Sequence, residues 1–301
     1  VSVAVFFMGV VNRFGCYPFG VESAGEAYIS TIGNINWYCG YAVTTVFIGT
    51  TLLWRGSGLK VWQKVLLMAY TMIGWVSLIL QGSDSGLVTL AVMAIVMFCV
   101  SVKDVDRMLT FWQEMVLLCM GCLTIYLLQL VLPVNVIYIS NITRIITYGV
   151  FSVVMTAVSV TMLLLVMRMR RTGKYSVKLF HAIAIFGIAG SAAAVIAVLV
   201  MAVVNTRHPG SIGGLSDNPL FTLNAYWGSN RLSTWKFGWR CFAEQNLWHK
   251  LVGVGPDCMW IYIENGAGSE FLSDVEKIFG NARLTNAHNE WLTVLVNTGI
   301  L

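Results

Sequence analysis

Charge is what this chain has least of. Of 301 residues, 11% are charged and 57% are hydrophobic, with a mean hydropathy of +0.74. Soluble domains carry about 25% charged residues, so the composition excludes an ordinary water-soluble domain and predicts a polytopic membrane protein. A concentrated basic patch is also missing. The net charge of +5 sits mostly in short loops, where it sets topology, and it leaves no nucleic-acid footprint. Metal-binding patterns are lacking in the long polar segment near the C-terminal end. It holds no His-x-x-x-His, no Cys-x-x-Cys with a histidine and no Asp-x-Asp set, so neither a metal nor another cofactor is expected. Internal repeats and low-complexity linkers are absent. The seven cysteines are scattered. Cys119 and Cys122 fall in an apolar span with no histidine nearby and read as packing residues. Cys241 and Cys258 share the polar segment and could pair if it lies outside the cell.

What the chain has in abundance is long apolar runs. A span needs about 20 such residues. Complete spans are expected at roughly 36–54, 62–80, 86–102, 109–132, 147–167 and 180–204, after the tail of another at 1–11. The fold class expected is all-α: a polytopic transmembrane helical bundle with one large extracytoplasmic loop containing short helices. Its divisions are 1–204 for the spans, 205–288 for the loop and 289–301 for the start of a further span. The chain is expected to be part of a longer protein with spans beyond both ends. Trp37, Trp54, Trp62, Trp75 and Trp112 lie towards span ends, as interfacial aromatics do. Lys64, Glu114 and His181 are the ionisable residues inside these runs, and all are expected near span ends. Gly187, Gly190, Ser191 and Ala192 to Ala194 put small residues together, a pattern of close helix packing.

The loops alternate in charge. Arg55, Lys60 and Lys64 mark one basic loop, and Arg168, Arg170, Arg171, Lys174 and Lys178 mark another. The loops expected at 12–35, 81–85 and 133–146 hold few charges, among them Glu22, Glu26 and Arg144. By the positive-inside rule the basic loops are cytoplasmic. The long loop then faces outwards, with seven Lys/Arg against seven Asp/Glu.

Within that loop, a helix is expected from Asn230 or Arg231. Leu232, Trp235, Trp239 and Phe242 share one face of it, to be buried on the spans or laid in the headgroup layer. Gly253-Val-Gly255-Pro256 ends a following segment, and Phe271 to Phe279 reads as a second short helix with an acidic face. Arg231 and Arg240 lie on opposite sides of the first helix. Each either meets headgroups and solvent or binds a phosphate, for which the planar guanidinium is suited. His288 opens the re-entering helix, with Asn286 as its expected N-cap. The positive end of the helix dipole there favours a neutral imidazole able to take a proton from a hydroxyl. Asn289 and Glu290 follow and could orient the ring, and an interfacial histidine without a role is the plainer alternative.

Three segments occur in order: Gly228-Ser-Asn-Arg231 with Trp235, Val252-Gly-Val-Gly-Pro256, and Ala287-His288-Asn289-Glu-Trp-Leu292 followed by Gly299-Ile300. This ordered set resembles the O-antigen ligase and polysaccharide polymerase superfamily. Upstream, Gly33-Asn34-Ile-Asn36 resembles that family's Asn-bearing segment. Gln81-Gly-Ser-Asp-Ser-Gly86 occupies the place of its Ser-Arg-Gly motif, but with Ser85 where many members have arginine. Arg144, Arg207 or Arg240 would have to replace that cation, or the donor or activity would have to differ.

The resemblance implies a metal-independent glycosyltransferase of the bacterial cytoplasmic membrane. It would take a glycan from a polyprenyl-pyrophosphate carrier and pass it to an acceptor hydroxyl at the outer face. His288 and Arg231 are its implied catalytic residues; Arg240, Asn289, Asn34, Asn36 and Trp235 would bind substrate. A non-catalytic scaffold or sensor and a membrane transport protein are the alternatives.

Overall fold

The computed structural model describes residues 1–18, 28–56, 58–132, 140–228 and 230–301. Glu22 and Glu26, the stretch 133–139 and Ser229 lie outside the described residues. The chain divides into two compact units, Val1–Ala189 and Gly190–Leu301.

The first unit is a helical bundle. It contains α1 (Ser2–Arg13), α2 (Ile35–Arg55), α3 (Val61–Leu80), α4 (Asp84–Ser101), α5 (Val105–Val131), the short α6 (Asn141–Ile146), α7 (Gly149–Thr172) and the first part of α8 (Val177–Arg207). Helices α3, α4, α5, α7 and α8 are long and apolar enough to cross a membrane. Helix α2 has the length, since 21 residues rise about 32 Å. Tyr38, Thr44, Thr45, Thr50 and Thr51 dilute its apolar character, however, so it does not join those five. Two of its hydroxyls turn back onto their own helix, Thr44 to the Gly40 carbonyl at 2.9 Å and Thr45 to the Tyr41 carbonyl at 2.7 Å. The all-α expectation includes no strand. A two-residue antiparallel ladder, β1 (Tyr28–Ile29) with β2 (Gly33–Asn34), leads into α2.

Helix ends follow local chemistry rather than hydropathy alone. Arg168 to Arg171, expected in a loop, form the last turns of α7, where cations favour the negative end of the dipole. Gly173 closes that helix in the left-handed conformation, with φ of 65°. Asp104 caps α5 by accepting from the Asp106 N–H, so α5 begins four residues earlier than its apolar run.

Packing inside the bundle runs through glycine under tyrosine. A side chain at Gly9, Gly49 or Gly149 would collide with the ring of Tyr38, Tyr70 or Tyr126 respectively. Lipid tails are as apolar as leucine, so such close approach is what holds membrane helices together. The small residues of α8 do something else. Nothing lies within 4 Å of where a Cβ would sit on Gly187 or Gly190, and Ser191 to Ala194 are exposed. The close packing expected there is not found among the described residues.

Two further expectations change. Trp75 is not interfacial: it is 1% exposed and packs edge-on to Phe47 at 5.7 Å between ring centres. Glu114 is not near a span end, because α5 starts at Val105. Its carboxyl is fully buried and has no hydrogen bond of ordinary geometry among the described residues, and neither has the indole N–H of Trp75.

The second unit contains the rest of α8, then α9 (Arg231–Glu244), α10 (Leu247–Val252), α11 (Met259–Asn265), α12 (Ser269–Phe279) and α13 (Glu290–Thr298). Asn205 gathers the turns that follow α8. Its Nδ2 donates to the carbonyls of Ser216 and Phe221, both at 3.0 Å, and its Oδ1 accepts from the Gly210 N–H. Beyond these turns the short helices enclose a true core of Phe237, Cys241, Met259, Ile263, Phe271, Val275 and Val296. Each large apolar side chain buried from water there contributes about 1.5–3 kcal/mol. Cys241 is wholly buried in that core and Cys258 is also a free thiol. The disulfide considered between them is therefore not formed.

Candidate functional site

The residues singled out from the sequence fall in both units, and each group is described by itself. In the first unit, Asn34 ends the hairpin before α2 and Asn36 lies in the first turn of that helix. Asn34 is the N-cap of α2, its Oδ1 accepting from the backbone N–H of Asn36 at 2.8 Å and of Trp37 at 3.4 Å. That satisfies donors a helix start leaves open. The Asn36 side chain reaches across to the α3–α4 turn, where its Oδ1 accepts from the Ser83 hydroxyl at 3.4 Å. Ser83 and Ser85 are themselves 2.7 Å apart at their hydroxyls. The Asn-bearing segment and the Ser85 turn thus adjoin.

A cation does stand at that turn, and the sequence reading did not pick it. Buried Arg13 of α1 donates to the carbonyls of Leu80 and Gln81, where α3 ends. Of the three arginines considered as replacements, Arg144 belongs to this region. It lies on α6, whose Thr143 hydroxyl donates to the Ile79 carbonyl at 3.0 Å. Arg207 and Arg240 belong to the second unit.

In the second unit the ordered motifs meet. Arg231 is the first residue of α9, preceded by Asn230 in the left-handed conformation. Its side chain is exposed and makes no ion pair or hydrogen bond among the described residues. One turn on, the Trp235 indole donates to the His288 carbonyl at 3.4 Å. Two turns on, Gly238 lets the chain at Ala287 come in, since a Cβ there would stand 2.8 Å from the Ala287 Cβ. The backbone of His288 is therefore held at the indole of Trp235, one turn along α9 from Arg231.

His288 precedes the last helix rather than opening it. Asn289, not Asn286, caps α13, its Oδ1 accepting from the Leu292 N–H at 3.3 Å. Asn286 instead accepts from the His288 N–H at 2.9 Å. Asn289 is thereby committed to the backbone and is not aimed at the imidazole. His288 holds φ of 47°, a left-handed conformation that costs a non-glycine residue roughly 1–2 kcal/mol. The turn is latched by Thr293, which accepts from the Ala287 N–H at 3.1 Å and donates to the Asn289 carbonyl at 3.0 Å. The imidazole itself is exposed.

The glycine motifs form a clasp behind this turn. Backbone N–H groups of Val254 and Gly255 donate to the carbonyls of Val296 and Asn297, and those of Ile300 and Leu301 donate to Lys250 and Leu251. Gly253 and Gly299 have φ of 74° and 76°, and a side chain on either would collide with the other's strand of backbone. The G-x-G turn and the Gly-Ile pair are thus two sides of one contact.

Arg240 stands apart from Arg231. Its guanidinium bonds Glu244 at 2.6 Å and Asp274 at 2.8 Å and lies over the Phe271 ring. Glu244 and then Asp274 hold the Arg240 charge on, while Lys277 and then Arg240 pull the Asp274 carboxyl below its ordinary range. Its role visible here is to dock α12 on α9. Burial pushes the Cys241 thiol up to about 12, so it offers no nucleophile. The expected apolar face of α9 also differs. Ser233, Thr234, Phe237, Gly238 and Cys241 are the buried residues, whereas Trp239 is 58% exposed.

Compared with protein families, curated proteins and solved structures, the chain matches none. Its chemistry must be argued from its own residues.

The residues missed from sequence alone are Arg13, Gly238 and Thr293. A glycine inside an amphipathic helix was a usable sign of close backbone approach. Nothing in the spacing marked Arg13 or Thr293.

Proposed function

We propose that this chain is a membrane glycosyltransferase resembling the O-antigen ligases. It transfers or polymerises a glycan from a polyprenyl-pyrophosphate donor onto an acceptor hydroxyl at the outer face of the bacterial cytoplasmic membrane. One observation carries the reading: the Trp235 indole ties the backbone of exposed His288, held in a left-handed conformation, to α9 one turn from exposed Arg231, whose side chain has no ion pair or hydrogen bond among the described residues. Strain of this kind persists where surrounding bonds enforce it, and it gathers at functional sites.

The division of labour follows from the chemistry. The Arg231 guanidinium, with no carboxylate nearby to satisfy it, neutralises charge that grows on the departing pyrophosphate. His288 accepts the proton of the attacking hydroxyl as the new glycosidic bond forms and the sugar–phosphate bond breaks. Pyrophosphate is a good leaving group, so positioning and charge stabilisation suffice. Exposed Trp239 and Trp291 suit a site at headgroup depth, where indoles prefer to lie. Asn34, Asn36 and Arg144 remain substrate-binding candidates on the first unit. Arg240, Asn289 and Trp235 are the candidates on the second unit, and the Arg240 guanidinium is already engaged by Glu244 and Asp274.

Transport is the second reading. Buried Glu114, with the Trp75 indole as its polar neighbour, favours it, because ionisable groups inside a bilayer commonly mark pathways. Reconstitution decides between them. Purified protein in liposomes, given a polyprenyl-pyrophosphate glycan and an acceptor glycan, is expected to yield carrier-free product. The yield should fall by about 10²–10³-fold in Arg231→Ala. Absence of product from intact wild type, or equal product from Arg231→Ala, would count against the enzyme.

A further inference from the structure

At one end of the helical bundle in the first unit lies a cavity of about 610 Å³. The end of α2, the starts of α3 and α5 and the end of α7 bring Arg55, Lys64, Arg107 and Arg170 to its wall, together with Asp104 and Asp106. Two of the cations are neutralised there: Arg107 sits 3.5 Å from Asp104, and Arg170 sits 2.7 Å from Asp106. Arg55 and Lys64 have no ion pair among the described residues, so the cavity keeps two uncompensated positive charges. Basic residues at a span end need no ligand to explain them. Their convergence on one half-open cavity does need one.

A second observation indicates the kind of anion. A smaller cavity of about 180 Å³ shares Leu109, Gln113 and Arg170 with the first and is completed by Met167 and Arg171. A charged chamber thus adjoins a smaller, half-open slot in which Leu109 and Met167 are the apolar walls beside Gln113, Arg170 and Arg171. Beside Lys64, α3 leaves Trp62, Val65 and Leu66 more than half exposed, a surface suited to lipid. Free phosphate would use the chamber and leave the slot idle, whereas an amphiphile would use both.

We propose that this end of the bundle is a binding site for the phosphate of an anionic phospholipid, with Arg55 and Lys64 holding the headgroup and the Leu109–Met167 slot taking the start of an acyl chain. The site is separate from the glycan chemistry above and does not depend on it. Basic pockets between spans suit such headgroups, and each nearby cation strengthens the attraction severalfold.

The test is native mass spectrometry of detergent-solubilised protein titrated with phosphatidylglycerol or phosphatidylcholine. Wild type should retain one phosphatidylglycerol in preference to phosphatidylcholine. The Arg55→Gln/Lys64→Gln protein should lose affinity for phosphatidylglycerol by roughly ten- to thirtyfold, and Arg55→Lys/Lys64→Arg should keep it. Should the glutamine protein not fold, Met167→Trp fills the slot with all charges in place and should weaken phosphatidylglycerol alone. Equal retention of the two lipids by wild type overturns the proposal, as does unchanged affinity in the glutamine and Met167→Trp proteins. Displacement of phosphatidylglycerol by an equal concentration of inorganic phosphate would assign the chamber to a soluble anion and overturn the lipid site.

Discussion

At the scale of single residues, the second unit uses its polar side chains in two ways. Arg240, Asn286, Asn289 and Thr293 are spent on partners within the protein. Arg231 and His288 are exposed and held by their backbones alone. That difference makes His288 the sharper test. We hypothesise that it is the base, so His288→Gln, which keeps hydrogen bonding and loses basicity, should cost about 10²–10⁴-fold in turnover. Donor binding should survive, since Arg231 remains. Near-normal turnover in the glutamine variant would reduce His288 to an orienting role. Asp274 offers a structural control. Its carboxyl is held low by Lys277 and Arg240, so its pairing contributes stability above the unfolded carboxyl value of about 3.9. That contribution is lost as pH falls through the lower folded value. Melting of wild type relative to Asp274→Asn should show a difference that is constant near neutrality and shrinks in acid below about pH 4. A difference that persists unchanged at pH 2 would rule out the ion pairs as its origin.

Among the elements, α9 and α13 define the candidate site by how closely they approach. The contact rests on Gly238 against Ala287 and on the Trp235 indole at the His288 carbonyl. A methyl group on Gly238 must displace the turn that carries His288. Gly238→Ala is expected to destabilise the second unit by about 1–3 kcal/mol and to lower turnover with it. Adding Ala287→Gly should recover much of both, because it removes the atom struck. A thermal melt and a transfer assay on the single and double variants would check this. No recovery in the double variant would mean that the contact is not what positions His288. The clasp between Gly253 and Gly299 leaves less room for repair, because there the opposing atoms are backbone.

On the scale of the whole molecule, the basic residues predict orientation. Cysteine at Ser211, in the turns after α8, should react with an impermeant maleimide added outside intact cells, and cysteine at Thr172 should not. The background would have Cys16, Cys99 and Cys258 changed to serine, since those thiols are at least partly accessible. Reversed labelling would invert the arrangement and remove the outward-facing site. Much of this molecule was legible from its residues: the apolar runs that became α3, α4, α5, α7 and α8, the start of α9 at Arg231, the α12 helix and the stop at Gly253. These are local matters. Run length, helical period and the φ freedom of glycine are set by neighbours in the chain. What folding alone decided concerns partners far apart in sequence. Trp75 became core rather than interface because Phe47 of α2 packs on it. Arg240 became a strut because α12 brings Asp274 to it. The cap of α13 fell to Asn289 because His288 is turned into a left-handed conformation by a latch from Thr293. The small residues of α8 carry a packing pattern, but no described helix covers them. A residue's type sets which bonds it can make, and only the positions of its neighbours in space determine which of those it does make.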